Sequence, residues 1–248
     1  MANFLLIHGA WHGGWCWDRV ATLLEQEGHR ASAPTLAGLE QDRSDEVDGI
    51  SLETHANDIV EAARSLRSPD LVVVGHSYAG FPLTAAADRL RGEVSRYLYL
   101  DAGVPEQMSV GSDFAWCDGV PPEQRKRRLA ALVDQGLGPV LPPPPPEAFG
   151  VTRREDLRLL EERLRPMPAG TFTDRVTLRA GGTEGLPRTY VHSVRPAYAP
   201  LGDTPSRLAE DPTWDFQELE SGHDSMLSDP EAVAAMLIRV ANEAEGGT

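Results

Sequence analysis

The stretch that most constrains this chain is VVVGHSYAGF, residues 72–81. An all-apolar run ends in Gly75-His76-Ser77-Tyr78-Ala79-Gly80 and passes at once into residues of helical character. Such a strand-to-helix turn is a nucleophile elbow, G-x-S-x-G, and it is sharp enough that the positions two before and two after the serine must be small. Here they are Gly75 and Ala79, with Gly80 following, so the second glycine is replaced by the next smallest residue. The turn presents the Ser77 hydroxyl at the start of a helix, where the dipole favours negative charge. The alternative is a tight turn with only a structural role.

Around the elbow, short apolar runs alternate with longer helical patterns, as in a parallel α/β sheet. NFLLI (3–7), HRASAPT (29–35), DLVVVG (70–75) and RYLYLD (96–101) read as strands. Helices are expected over 18–27, 51–67 and 79–90, the second with Ser51 as its N-cap. From 103 to about 185 the pattern breaks. LPPPPPEAFG (141–150) is stiff and extended and can be neither core helix nor central strand; helical pieces lie near 122–135 and 153–165. The region 103–185 reads as a cap (lid) inserted into a core made of 1–102 and 186–248, the alternative being a disordered linker. RTYVHSV (188–194), TWDFQEL (213–219) and a helix over 230–245 then restore the α/β pattern.

Composition narrows the function. At 248 residues the chain can bury one large core with a modest insertion. A net charge of −15 argues against nucleic acid, which needs a basic footprint, and against anionic lipid. No apolar stretch approaches a membrane span, and MANFLLIHGA lacks the basic start of a signal peptide, so the expected location is cytoplasmic. Cys16 and Cys117 have no metal-ligand spacing and nothing requires a disulfide between them. No metal site is expected, and the chain is expected to work as a monomer or homodimer on a small-molecule substrate. Lys126 is the one lysine, which suggests a GC-rich genome and a role in specialised metabolism.

Two further stretches carry chemistry. In IHGAWHGGWCWD (7–18), small residues follow the first strand, so the backbone N–H of Ala10 can join that of Tyr78 in an oxyanion hole. Trp11, Trp15 and Trp17 either wall a substrate pocket or pack in the core, Trp11 and Trp15 being the pocket candidates. In LESGHDSMLSDP (219–230), His223 follows the last strand and precedes the terminal helix, which brings it beside the elbow as general base. His8 and His12 read as structural, His192 as a packed strand residue, and His76 as the variable elbow position, pointing away from the nucleophile.

Together LLIHGAWHGGWCWD, VVVGHSYAG, YLDAGVPE, LRPMPAGTF and GHDSMLSDP resemble the α/β-hydrolase superfamily, and within it the plant methyl esterases and hydroxynitrile lyases with their bacterial relatives. The resemblance covers nearly the whole chain. It implies an eight-stranded, mostly parallel sheet with a cap after the sixth strand, Ser77 as nucleophile, His223 as base, the amides of Ala10 and Tyr78 as oxyanion donors, and no cofactor. The lyases carry a threonine after the first-strand histidine and a lysine after the catalytic histidine. Here those places hold Gly9 and Asp224, and a carboxylate would repel departing cyanide. The implied activity is a serine hydrolase (esterase) cleaving a small or medium hydrophobic carboxylic ester, a lactone or thioester included, through an acyl-enzyme. Carbon–carbon bond hydrolysis or cyclisation on the same triad, and a non-catalytic small-molecule receptor, are the alternatives.

The third catalytic group is the open point. The resemblance puts an acid about where Arg195 and Pro196 stand, and neither can orient an imidazole. Asp101 ends RYLYLD, which the fold places between the elbow strand and RTYVHSV, so its side chain can approach His223 from one strand away. Asp101 is therefore the expected acid, the alternatives being that it only orders the cap entrance or that the acid is absent. Asp203, well into a loop, and Asp224, whose adjacency makes it point away from the ring, are the weaker candidates.

Overall fold

The computed structural model describes residues 1–42, 47–134 and 138–245. The chain runs through β1 (Asn3–Ile7), α1 (Asp18–Gln26), β2 (Arg30–Ser32), α2 (Leu52–Leu66), β3 (Leu71–His76), α3 (Gly80–Ala87) and β4 (Arg96–Leu100). Between residues 103 and 185 follow β5 (Asp113–Phe114), α4 (Pro122–Ala130), β6 (Val133–Asp134), β7 (Pro139–Leu141), α5 (Arg154–Arg163), β8 (Met167–Pro168), α6 (Gly170–Thr173) and β9 (Val176–Thr177). The chain then returns through β10 (Arg188–Ser193), α7 (Thr204–Ala209), β11 (Asp215–Leu219), α8 (Ser225–Ser228) and α9 (Pro230–Glu245).

Six strands form one sheet in the order β11-β10-β4-β3-β1-β2, and every pairing is parallel. The resemblance implied eight strands. Among the described residues the sheet has six, one for each apolar run visible in the sequence. Two helix pairs cover it, α2 with α3 and α1 with α9, which is why all six residues of β3 are buried and all but His76 lack a polar side chain. α2 is amphipathic: Leu52, His55, Ala56, Ile59, Val60 and Ala63 share its buried face. Its first turn is closed by a reciprocal cap. The Thr54 amide donates to Ser51 Oγ at 3.3 Å, and the Ser51 amide donates to Thr54 Oγ1 at 3.1 Å. A cap of this kind stabilises a helix by about 1 kcal/mol.

Within 103–185, Phe149, Val151, Leu160, Met167 and Phe172 join the same apolar core as the sheet. The proline run leads into a single 3₁₀ turn, Pro146–Phe149. The helical piece expected near 122–135 is α4, and residue 135 lies outside the described residues. Unlike α5 and α6, α4 buries none of its residues. Because all six central strands run the same way, the chain leaves β1, β3 and β4 at one edge of the sheet, at His8, Ser77 and Asp101. That edge is where the site lies.

Candidate active site

Ser77 sits in a left-handed backbone conformation, φ 55°, that a non-glycine residue adopts at a cost of roughly 1–2 kcal/mol. Among the described residues three other non-glycine positions share this region. Two of them, Trp11 and Asp101, lie in the loops that meet Ser77; the other, Arg67, caps α2. Close backbone approach fixes the elbow. A Cβ on Gly80 would stand 2.0 Å from the Gly103 carbonyl oxygen, and the Gly103 amide donates to the Ser77 carbonyl at 3.0 Å. A Cβ on Gly9 would stand 3.0 Å from Ser77 Cβ, so the backbone leading to Ala10 runs against the serine. Ala10 and Tyr78 are both buried; Ala10 follows Gly9 and Tyr78 follows Ser77 in the chain.

A continuous line of hydrogen bonds joins three side chains. Ser77 Oγ donates to His223 Nε2 at 2.9 Å, and His223 Nδ1 donates to Asp101 Oδ2 at 2.6 Å. The tautomer follows from chemistry: a carboxylate can only accept, so the proton belongs on Nδ1 and Nε2 is free to take one. Asp101 reaches His223 because β4 lies between β3 and β10. Its other oxygen accepts from His192 Nδ1 and from the Ser193 amide, each at 3.0 Å. Burial alone would raise the Asp101 pKa, but the bonds from His192 and His223 outweigh it and lower the carboxyl to about 2. Arg195 and Pro196 do no such work. Arg195 pairs with Glu220, and the Pro196 ring packs beside Gly150 and Gly222.

Three further buried histidines lie close to the relay. His8 Nδ1 donates to the Gly9 carbonyl and its Nε2 accepts the Leu36 amide; burial drives its pKa to about 3, so it is neutral. His76 is likewise held near 3, chiefly by burial, and its Nε2 donates to the His223 carbonyl at 3.0 Å, supporting the backbone that carries the base. His12 is different. Its Nδ1 donates to the Ala10 carbonyl and its Nε2 to Asp224 Oδ2 at 3.0 Å. Burial opposes charge on His12, yet the Asp224 carboxylate overcomes it and raises the imidazole. Asp224 itself is lowered, against its own burial, by His12. Asp224 thus turns away from the ring of His223. Asp203 precedes α7 and lines an outer cleft.

His76, His223 and Asp224 bring ligand-type atoms within 4.8 Å of one another. Both ring nitrogens of His223 and one oxygen of Asp224 are already engaged in the bonds above, so the cluster is built for hydrogen bonding. Three contacts on the site carry no periodic signal in the sequence. The Tyr198 ring stacks on His223 at 3.6 Å between centroids and 15° between planes; Phe149 lies nearly parallel to it at 6.4 Å; and His192 holds Asp101. A stacked phenol excludes water from one face of the imidazole and limits its rotation.

Beside Ser77 is a cavity of about 20 Å³ walled by Trp11, Tyr78, Trp116, Arg128 and Tyr198 among others. Trp11 is held there by its indole N–H, which donates to the Leu141 carbonyl at 3.0 Å. Trp15 does not line this cavity; its ring stacks on His12 instead. A larger cleft of about 690 Å³ shares the walls Phe81, Gly119 and Val120 with it. A Cβ on Gly103 or on Gly119 would come within 2.4 Å of the Phe81 ring, so the two glycines hold this ring as a fixed partition.

The geometry has counterparts in known proteins. The model of the alpha/beta hydrolase family matches residues 4–236. The carbendazim hydrolyzing esterase of a Nocardioides strain is 32% identical over 96% of this chain and 98% of its own length. Esterase PIR7B of Oryza sativa subsp. japonica is 29% identical over 98% of this chain and 97% of its own. Among solved structures, an extracellular alpha/beta-hydrolase from a Paenibacillus species superposes with a TM-score of 0.81 at 20% identity, covering 97% of this chain and 99% of that one. At that identity the likeness is one of fold.

Proposed function

The chain belongs to the alpha/beta hydrolase family, and from that premise we propose that it is a serine esterase that cleaves a small or medium hydrophobic carboxylic ester through an acyl-enzyme on Ser77. The observation that carries this reading is the unbroken line from Ser77 Oγ to His223 to Asp101, 2.9 and 2.6 Å long. The named esterase activities of the bacterial and rice relatives support it.

In this mechanism His223 Nε2 takes the Ser77 proton as Oγ adds to the ester carbonyl, and the amides of Ala10 and Tyr78 hold the oxyanion. His223 returns that proton to the departing alkoxide, which leaves as the alcohol. Water then adds to the acyl-enzyme with His223 again as base, releasing the acid and restoring Ser77. Asp101, kept ionised by its low pKa, fixes the ring tautomer and offsets the charge of the imidazolium. The insertion 103–185 acts as the cap: Trp116, Gly119, Val120 and Arg128 all wall the cavity beside Ser77. The relay lies within one chain, so a monomer or a homodimer serves equally. Two unpaired cysteines, and no helix among the described residues long and apolar enough to cross a membrane, are compatible with a cytoplasmic enzyme.

A fluorophosphonate should attach one equivalent of label to Ser77, and Ser77→Ala should lose both the label and the turnover of a p-nitrophenyl ester. Retention of more than about a tenth of the activity in folded Ser77→Ala would mean the elbow is only structural, because loss of a triad member costs several orders of magnitude.

A further inference from the structure

Among the residues that line the cavity beside Ser77, Arg128 is the only charged one. Its guanidinium carbon lies 5.4 Å from the centre of the Trp11 ring, 5.0 Å from Trp116 and 5.9 Å from Phe172. Three aromatic faces thus hold one cation, an arrangement that orients the guanidinium without using its N–H donors. Among the described residues no carboxylate pairs with it. Arg19, Arg64, Arg153 and Arg175, by contrast, each have one. Burial lowers the Arg128 pKa, and the charge neighbour that raises it is Tyr198, whose phenol is itself pushed up, chiefly by burial, to about 12 and so stays neutral. A half-buried guanidinium whose donors have no hydrogen-bond partner among the described residues, in a pocket lined otherwise by neutral side chains, is a receptor for an anionic oxygen group.

We propose that Arg128 is a specificity-determining residue that binds a free carboxylate on the substrate, so that the esters taken are those whose molecule also carries an acid group, such as monoesters of dicarboxylic acids. This rests on the esterase reading for what occupies the cavity. The aromatic walls receive the hydrocarbon between the two oxygen groups, and the ester carbonyl meets Ser77. The cavity of about 20 Å³ has room for about one water, so an acyl group enters only if a wall gives way. Phe81 is held between two glycines, whereas α4, which carries Arg128, buries none of its residues and is the wall with the least packing to lose. A cationic substrate is excluded, because the guanidinium already occupies the aromatic box.

The test separates binding from chemistry. In Ser77→Ala, calorimetry compares the monomethyl ester of glutaric acid with the matching neutral amide. The acid should bind roughly 10- to 100-fold more tightly, the range of a charge-assisted hydrogen bond. Adding Arg128→Met should bring the ratio to about one, and Arg128→Lys should keep part of it; melting curves confirm that each variant is folded. Equal affinities in Ser77→Ala, or a preference that survives Arg128→Met, would overturn the assignment. The esterase reading stands or falls separately, on labelling of Ser77 and turnover of a neutral ester in the unmodified protein. Labelled Ser77 with an affinity ratio of one removes only the carboxylate site; an intact ratio with unreactive Ser77 removes only the esterase.

Discussion

Residues 223 and 224 are neighbours in the chain, yet each belongs to a different buried His–Asp pair. His223 meets Asp101 at 2.6 Å, and Asp224 meets His12 at 3.0 Å. Both pairs lie away from solvent and both join distant parts of the sequence. What separates them is the second ring nitrogen. In His223 it accepts from the Ser77 hydroxyl, so the ring can take up a proton and return it. In His12 it donates to the Ala10 carbonyl, so both nitrogens are donors and the ring is held as a cation with nowhere to pass its proton. A buried His–Asp pair is therefore not catalytic in itself; the atom at its far end decides. On the proposed reading the first pair serves chemistry and the second fixes the loop after β1, from which the Ala10 amide is presented.

The comparison is broken most severely by His223→Ala. That variant should lose roughly 10⁴-fold or more in ester turnover while remaining folded, since the base is removed and little else. Near-normal turnover would mean that some other group accepts the Ser77 proton.

A smaller effect, on stability, is expected from Asp224→Asn. It leaves the His12 cation buried without its counter-charge, and breaking such a pair costs about 3–5 kcal/mol. The pH dependence has a definite sign. Asp224 has a lowered pKa, so its contribution is present above the ordinary carboxyl value of 3.8 and is lost as pH falls through the folded value. His12 has a raised pKa, so its contribution is complete below the ordinary value of 6.5 and is lost as pH rises through the folded value. The melting temperature should thus be highest between those two ranges and decline on both sides. In Asp224→Asn the curve should be lower and flatter; a curve displaced without a change of shape would show that this pair is not the source.

Much of this was legible in the sequence because sheet and elbow follow local rules. Six apolar runs became six strands, Ser51 capped α2, and the small residues at 75, 79 and 80 marked the turn at Ser77. The pairing of His223 with Asp101 was reachable from strand order, because β4 lies between β3 and β10. The eight-strand expectation came from resemblance alone; among the described residues the sheet has the six strands of the six runs. Trp15 was misplaced because the tryptophans of a non-repeating loop give no sign of the direction each faces; Trp11 turned to the cavity and Trp15 to His12. Tyr198 and Arg128 were missed altogether. They come from an irregular loop and from a helix with no buried face, where position is set by tertiary packing.

The central claim is that the acid of the relay stands at Asp101, on β4's end, and not in the loop holding Arg195 and Pro196. The most direct measurement is the steady-state kinetics of Asp101→Asn on a p-nitrophenyl ester, set beside Asp224→Asn at a temperature where melting curves show both folded. The asparagine keeps the shape at 101 but favours the wrong tautomer of His223, so kcat should fall by roughly 10³–10⁴-fold with KM nearly unchanged. Asp224→Asn should stay within about tenfold of the unmodified protein, the effect of one hydrogen bond lost at a distance. Near-normal kcat in Asp101→Asn, or an equal loss in the two variants, would contradict the account.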